Sequence, residues 1–344
     1  MKAVLYPGST VGGKLMKILA IEKEGRLQEK TDPKVYEAHD ITYVPVGSSD
    51  DDIIAAGKDA QVIIVDAMGK VSAKVIEGIP GLKMIHSDGV GFQGVDTAAA
   101  KEKGIYVCNC KGMNASAVAE QALMLMLGLL RNVVGCNSGV YAGKQIQIKE
   151  NYMLKGNLRE LADCTIGLYG FGDIAKYVAK FATCMGANVI YYDCFRASGD
   201  VEKFYGVNYV SLDELIAKAD ILSVHVPVTP ETAGSINADF FAKMKEGAML
   251  INTARGELVD TEALIEAIKS GHIAGAGLDT IAGEPVGLDN PLLKAPEEVR
   301  DKMIVSCHIG GITNSSFVRG FGMLWDDIAC IERGERPGNI VNKL

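Results

Sequence analysis

Apolar residues along the chain fall into short runs separated by amphipathic stretches, an alternation that predicts strands and helices in turn. In the first 110 residues Lys2-Ala-Val-Leu-Tyr6, Gln61–Val65, Lys83–His86 and Ile105–Val107 are strand-length runs bounded by turn residues. Residues 114–130 form a long helix, apolar on nearly every face and therefore one that must be buried. A second alternating block begins at Thr165, with strands at Thr165–Tyr169, Asn188–Tyr192, Ile221–His225, Ala248–Asn252, Ala274–Leu278 and Met303–Ser306. Asp173 to Met185 has the spacing of a helix packed on a sheet, and the helix after Ser211 carries a capping box with Glu214. The last stretch, Asn314 to Glu332, reads as a helix whose apolar positions need a partner outside the second block, so it returns to the first. The fold expected is α/β: two Rossmann-like or flavodoxin-like parallel-sheet domains with a ligand cleft between them. Residues 1–112 with 313–344 make one domain and residues 113–312 the other.

Composition narrows the function. A chain of 344 residues suits two domains, and 48% hydrophobic with 23% charged residues is ordinary for a globular protein. A net charge of −8 without a basic run offers no footprint for nucleic acid. No stretch combines the length and apolarity of a transmembrane helix; Met113–Leu130 comes nearest, but Asn114, Ser116, Glu120 and Gln121 interrupt it. With no signal peptide at the start, a cytoplasmic protein is expected. The eight cysteines show no CxxC pair and no zinc-like Cys/His spacing, so reduced thiols and no metal are expected.

The candidate chemistry begins at Leu168-Tyr-Gly-Phe-Gly-Asp-Ile-Ala175, a glycine-rich turn between a predicted strand and a predicted helix. Gly170 allows the tight turn, and Gly172 lets a pyrophosphate approach backbone where helix N–H groups point at it. Ala175 stands at the third glycine position, a variant the pattern tolerates. The next strand ends at Asp193, whose carboxylate can accept hydrogen bonds from a ribose diol. Tyr169, Gly170, Gly172, Asp173, Ile174 and Asp193 are thus candidate dinucleotide contacts. Asp193 would repel a 2′-phosphate, which favours NAD over NADP; Arg196 nearby blurs that preference.

Three further segments lie at the C-terminal ends of predicted strands, where ligands collect in open α/β sheets. They are Asn252-Thr-Ala-Arg-Gly-Glu-Leu-Val-Asp260, Gly277-Leu-Asp-Thr-Ile-Ala-Gly-Glu-Pro285 and Ser306-Cys-His-Ile-Gly-Gly311. An arginine, a glutamate and a histidine gathered there can hold a carboxylate, tune a base and shuttle a proton. Cys307, beside the histidine, reads as a packing residue.

With those motifs the chain resembles the D-isomer-specific 2-hydroxyacid dehydrogenases, from about Leu82 to the C-terminus. Gly89-Val-Gly-Phe-Gln-Gly-Val-Asp96, Asn114-Ala-Ser-Ala-Val-Ala-Glu120, the glycine loop, Val224-His-Val-Pro-Val-Thr-Pro-Glu-Thr232 and the three segments carry the resemblance. It implies NAD(H) as cofactor and a 2-oxo or 2-hydroxy acid as the small-molecule partner. Arg255 then clamps the substrate carboxylate with its planar fork, His308 is the acid/base, and Glu284 fixes the histidine's tautomer and raises its pKa. It further implies that the backbone of Val90 and Gly91 completes the carboxylate site and that Asp279, Thr253 and Ala254 contact the nicotinamide amide. Val226 and Pro227 line the adenine pocket, Thr232 touches a phosphate, and Gly310 joins the cofactor set. His225 is a core or adenine-edge residue and His86 a structural one. Glu284 disfavours a formate dehydrogenase, which carries glutamine there, and Val90 disfavours a phosphite dehydrogenase, which places a lysine in that loop. An NAD-sensing corepressor that shares the fold stays open as an alternative. Asp66-Ala-Met-Gly-Lys70 offers one lysine, and Asp66 should repel a phosphate, so an unphosphorylated acid is expected, with Met68 and Phe92 shaping an apolar side. Members of the family pair as homodimers through the region matching residues 113–150.

Overall fold

Twelve short strands, most of them apolar runs, form in a computed structural model that describes residues 15–344. Strands buried on both faces have no polar alternation, and Val62–Val65, Met84–Ser87 and Ile221–Val224 are buried at every position. The chain splits into two compact units, one running to Asn114 and resuming at Ile312–Leu344, the other Ala115–Gly311.

The first unit holds β1 (Lys17–Ile21), β2 (Asp40–Val44), β3 (Val62–Val65), β4 (Met84–Ser87) and β5 (Tyr106–Cys108) in the order β2-β1-β3-β4-β5, every neighbour parallel. That is the flavodoxin-like order. The expected strand at Lys2–Tyr6 lies outside the described residues, and β1 and β2 form where no strand was expected. The helix Asn314–Arg333 belongs to this unit, and Phe321, Leu324, Trp325 and Ile328 share a core with Ile18, Ala20, Ile64 and Met84. His86 is structural. Fully buried in β4, it meets Asp327 Oδ2 of that helix at 3.1 Å and Ser87 O at 2.7 Å.

The second unit holds β6 (Thr165–Tyr169), β7 (Asn188–Tyr192), β8 (Val207–Tyr209), β9 (Ile221–Val224), β10 (Ala248–Asn252), β11 (Ile273–Leu278) and β12 (Met303–Val305). Their order, β12-β11-β10-β9-β6-β7-β8, again all parallel, reverses between β6 and β9, which is the dinucleotide-binding arrangement. The helix Ala115–Leu130 is buried against this sheet through Ala119, Ala122, Leu125 and Met126. No single helix among the described residues is long and apolar enough to cross a membrane. The helix Leu212–Lys218 has half of the capping box. Ser211 Oγ accepts from Glu214 N at 3.3 Å, while the Glu214 carboxylate turns to Lys218, a nearer cation one turn along.

Candidate active site

In the second unit the predicted chemistry lies at the C-terminal edge of the sheet. The glycine loop follows β6. Gly170 has φ +97°, and a Cβ there would stand 2.7 Å from His225 O, so the turn admits glycine alone. Gly172 differs: its φ is −78° and a Cβ would meet nothing within 4 Å. It opens the helix Asp173–Cys184, which has no side-chain cap. Among the described residues no acceptor meets the N–H groups of Gly172, Asp173 or Ile174. Unfilled space over uncapped helix amides fits the pyrophosphate of a dinucleotide. Ala175, at the third position, is fully buried in the contact between helix and sheet. Tyr169 closes β6 with its ring 6.2 Å from Phe240.

Asp193 follows β7 as expected, yet its carboxylate already serves the protein. Oδ2 accepts from Phe171 N at 2.7 Å and Oδ1 from Phe195 N at 2.9 Å, so it braces the glycine loop beside any ribose it holds. Val226 is packed against the core after β9, and Pro227 is exposed. Thr232 Oγ1 donates to Pro227 O and accepts from Thr229 N, both at 2.7 Å, which makes it the lock of the Thr229–Thr232 turn. His225 meets Ser223 Oγ at 2.9 Å, and burial pushes its pKa down to about 4, so it stays neutral at pH 7.

Three loops carry the expected triad. After β10 the buried Asn252 shapes the turn: its Oδ1 accepts from Ala254 N at 3.0 Å and its Nδ2 donates to Arg255 O at 2.8 Å. Thr253 is buried with an unpartnered hydroxyl, and Arg255 is exposed, its Nη1 donating to Ala254 O at 2.7 Å. Among the described residues no carboxylate forms an ion pair with that guanidinium. A Cβ on Gly256 would stand 2.1 Å from Ile281 C, so the Arg255 turn lies directly on the segment that carries Glu284. Glu284 Oε1 accepts from Ile281 N at 2.6 Å, and Oε2 lies 2.6 Å from His308 Nδ1. The structure thus brings Glu284 and His308 together and sets the arginine's loop against theirs.

Asp279, expected at the nicotinamide, is 2% exposed and uses both oxygens within the protein. Oδ1 accepts from Ser306 Oγ at 2.5 Å and Ile309 N at 3.1 Å, and Oδ2 from Gly310 N at 2.8 Å. It therefore pins the loop on which His308 sits at φ +57°, a costly conformation for a non-glycine residue that only surrounding bonds can hold. Gly310 is glycine for the same reason, since a Cβ would stand 2.8 Å from Asp279 Oδ2. Gln121 Nε2, 2.8 Å from Ser306 Oγ, completes this support. The sequence placed Asn252 and Ser306 inside the candidate segments without a role, and gave Gln121 no site signal at all.

The first unit places the other candidates on two loops after β3 and β4. Among the described residues the N–H groups of Val90 and Gly91 have no acceptor, while Val90 O accepts from Asn109 Nδ2 at 2.7 Å. Met68 is 86% exposed and Phe92 half-buried. Asp66 is not a free negative charge. Arg26, the first residue of the helix Arg26–Lys30 that follows β1, reaches Asp66 Oδ2 at 2.6 Å and Asp88 Oδ2 at 3.0 Å, so repulsion of a phosphate by Asp66 no longer argues for an unphosphorylated acid. Asp66 Oδ1 accepts from Met68 N at 2.9 Å and Asp88 Oδ1 from Ala67 N at 3.0 Å, so one arginine ties both loops. Beside them Glu22 is 1% exposed; burial, then the neighbouring Asp88, pushes its pKa up to about 8.

Comparison with known proteins shows the family. The family model for the D-isomer specific 2-hydroxyacid dehydrogenase, NAD binding domain, matches residues 123–310. A glyoxylate reductase of Thermofilum pendens is 36% identical over 318 residues, 92% of this chain and 90% of that one. A hydroxypyruvate reductase of Thermotoga maritima is 38% identical over 269 residues, 76% of this chain and 82% of that one. Among solved structures, the NAD-complexed D-isomer specific 2-hydroxyacid dehydrogenase of Lactobacillus delbrueckii ssp. bulgaricus superposes with a TM-score of 0.77 at 28% identity, over 94% of this chain and 99% of that one.

Proposed function

The chain belongs to the D-isomer-specific 2-hydroxyacid dehydrogenases and is an NAD-dependent oxidoreductase, and from that premise we propose that it interconverts a small unphosphorylated 2-oxo acid and its D-2-hydroxy acid with His308 as acid/base. The contact of His308 Nδ1 with Glu284 Oε2 at 2.6 Å carries the proposal. A carboxylate there holds the proton on Nδ1 and leaves Nε2 to exchange one with the substrate oxygen. Nicotinamide, when bound, supplies or takes the hydride at the neighbouring carbon. Arg255, exposed and without a carboxylate partner among the described residues, suits a planar substrate carboxylate. In the first unit, the N–H groups of Val90 and Gly91, which have no acceptor among the described residues, are our assignment for binding a carboxylate. Gly172 and the helix amides of Asp173 and Ile174 would hold the cofactor's pyrophosphate, and Asp193 its ribose.

Relatives named for glyoxylate and hydroxypyruvate, matched over 90% and 82% of their length, support a small, unphosphorylated substrate over relatives named for D-3-phosphoglycerate, such as those matched over 54% and 52% of theirs. A cytosolic homodimer completes the proposal. Its dimer part is supported by Val133, Val134, Val140, Tyr141, Met153 and Leu154, all more than half exposed on consecutive helices.

The test is a panel of glyoxylate, pyruvate, hydroxypyruvate, 2-oxoisocaproate and phenylpyruvate with NADH, repeated on His308→Ala. The variant is expected to bind NADH as the parent does and to lose about 10²–10⁴-fold in turnover. Unchanged turnover removes His308 from the chemistry; NADH binding with no turnover of any 2-oxo acid removes the proposed reaction.

A further inference from the structure

The turn after β7 contains a cation that the cofactor reading leaves without a task. Arg196 stands three residues beyond Asp193, where a guanidinium would attract a 2′-phosphate. Its fork is occupied: Nε lies 2.9 Å from Glu202 Oε1 and Nη2 3.1 Å from Glu202 Oε2. The guanidinium carbon also lies 5.1 Å from the centre of the Tyr209 ring, on β8. Glu202 is itself fixed in place. Its Oε1 accepts from Tyr191 Oη at 2.8 Å, and that hydroxyl accepts from Ala197 N at 3.0 Å. The helix Gly199–Tyr205 carries this carboxylate, Tyr191 of β7 donates to it, the turn backbone steadies that hydroxyl, and the arginine is held against Tyr209. The pair holds Glu202 below the usual carboxylate range, with Arg196 the largest cause.

We propose that Glu202 is a cofactor-specificity residue, which disfavours NADP by holding Arg196 on Tyr209 and out of reach of a 2′-phosphate. Discrimination then has two parts, a negative charge at Asp193 and a positive charge withheld at Arg196. The inference rests on the NAD reading and extends it to residues outside the glycine loop and its ribose carboxylate.

Direct titration of NADH and NADPH, followed by nucleotide fluorescence without substrate, tests it in a series of variants. Asp193→Ala relaxes the first part. Adding Glu202→Gln, which keeps an acceptor for Tyr191, is expected to tighten NADPH by about tenfold more, the scale of one charge-assisted contact, and to leave NADH within about twofold. Adding Arg196→Gln to the pair is expected to cancel that gain. An NADPH affinity that Glu202→Gln does not move, or a gain that survives Arg196→Gln, overturns the proposal. Should the Glu202 variant fail to fold, Arg196→Gln in the Asp193→Ala background decides: unchanged NADPH binding supports a withheld arginine, and weakened binding overturns it. Parent protein that binds neither nucleotide would fail the NAD reading itself, an outcome distinct from a parent that binds both equally, which overturns only the role of Glu202.

Discussion

Two glycine-rich loops follow strands of parallel sheets in this chain, and their glycines are there for opposite reasons. In Gly89-Val-Gly-Phe-Gln-Gly94 the space where side chains would go is filled by protein. A Cβ on Gly89 would lie 2.8 Å from Ala67 Cβ, one on Gly91 3.0 Å from Ala67 O, and one on Gly94 2.0 Å from Gly69 O. In Gly170-Phe-Gly172 the first glycine is equally confined, but the second faces open space. A glycine whose Cβ would collide with the protein speaks of folding; a glycine with room around it leaves that space open to a ligand. Sequence alone gives the two motifs the same look.

The contrast can be broken by adding methyl groups. Gly94→Ala drives a carbon into a backbone carbonyl that cannot rotate away, and is expected to cost at least about 3 kcal/mol or to prevent folding of the first unit. Trp325, the single tryptophan, is 5% exposed in that unit, so its fluorescence in a urea titration reports the loss. A parent-like midpoint would show that the two loops slide apart cheaply. Gly172→Val is the converse. Stability is expected within about 0.5 kcal/mol of the parent, since the site is open, while NADH dissociation rises about 10–100-fold as the side chain fills the ligand's space. Equal NADH affinity in parent and variant would place the pyrophosphate elsewhere.

Legibility divides along the same line as the loops. The strands Thr165–Tyr169, Asn188–Tyr192 and Ala248–Asn252 were readable to the residue because each is an aliphatic run closed by a turn signal of its own. Glu284 and His308 were readable because their motifs are local, although the residues lie 24 positions apart. β1 and β2 were not. Lys17-Ile-Leu-Ala-Ile21 is too short and too continuous to tell strand from helix, and Asp40-Ile-Thr-Tyr-Val44 becomes a strand only by pairing with it. The support of the site was hidden for a related reason. Arg26 meets partners 40 and 62 residues away, and Asp279 holds a loop 30 residues on, so no spacing rule connects them. Without Arg26 in view, Asp66 looked like a lone negative charge.

That hidden network also gives the first unit a response to pH. Glu22 is buried beside Arg26, Asp66 and Asp88, and its pKa stands near 8 against an ordinary 4.5. Between those values the folded first unit keeps a proton that the unfolded chain has released, so its stability falls as pH rises through that window and the loss is complete above about 8. Asp88, raised to about 6 mainly by burial and opposed by Arg26, adds to the slope in its lower part. Glu22→Gln removes the larger contribution while keeping the shape. Between pH 5 and 7 the parent is expected to lose on the order of 1–2 kcal/mol more than the variant, allowing for relaxation around the buried group. Urea midpoints followed through Trp325 at pH 5, 6 and 7 measure the difference, and parallel slopes for parent and variant would show that Glu22 is already ionised in the folded state.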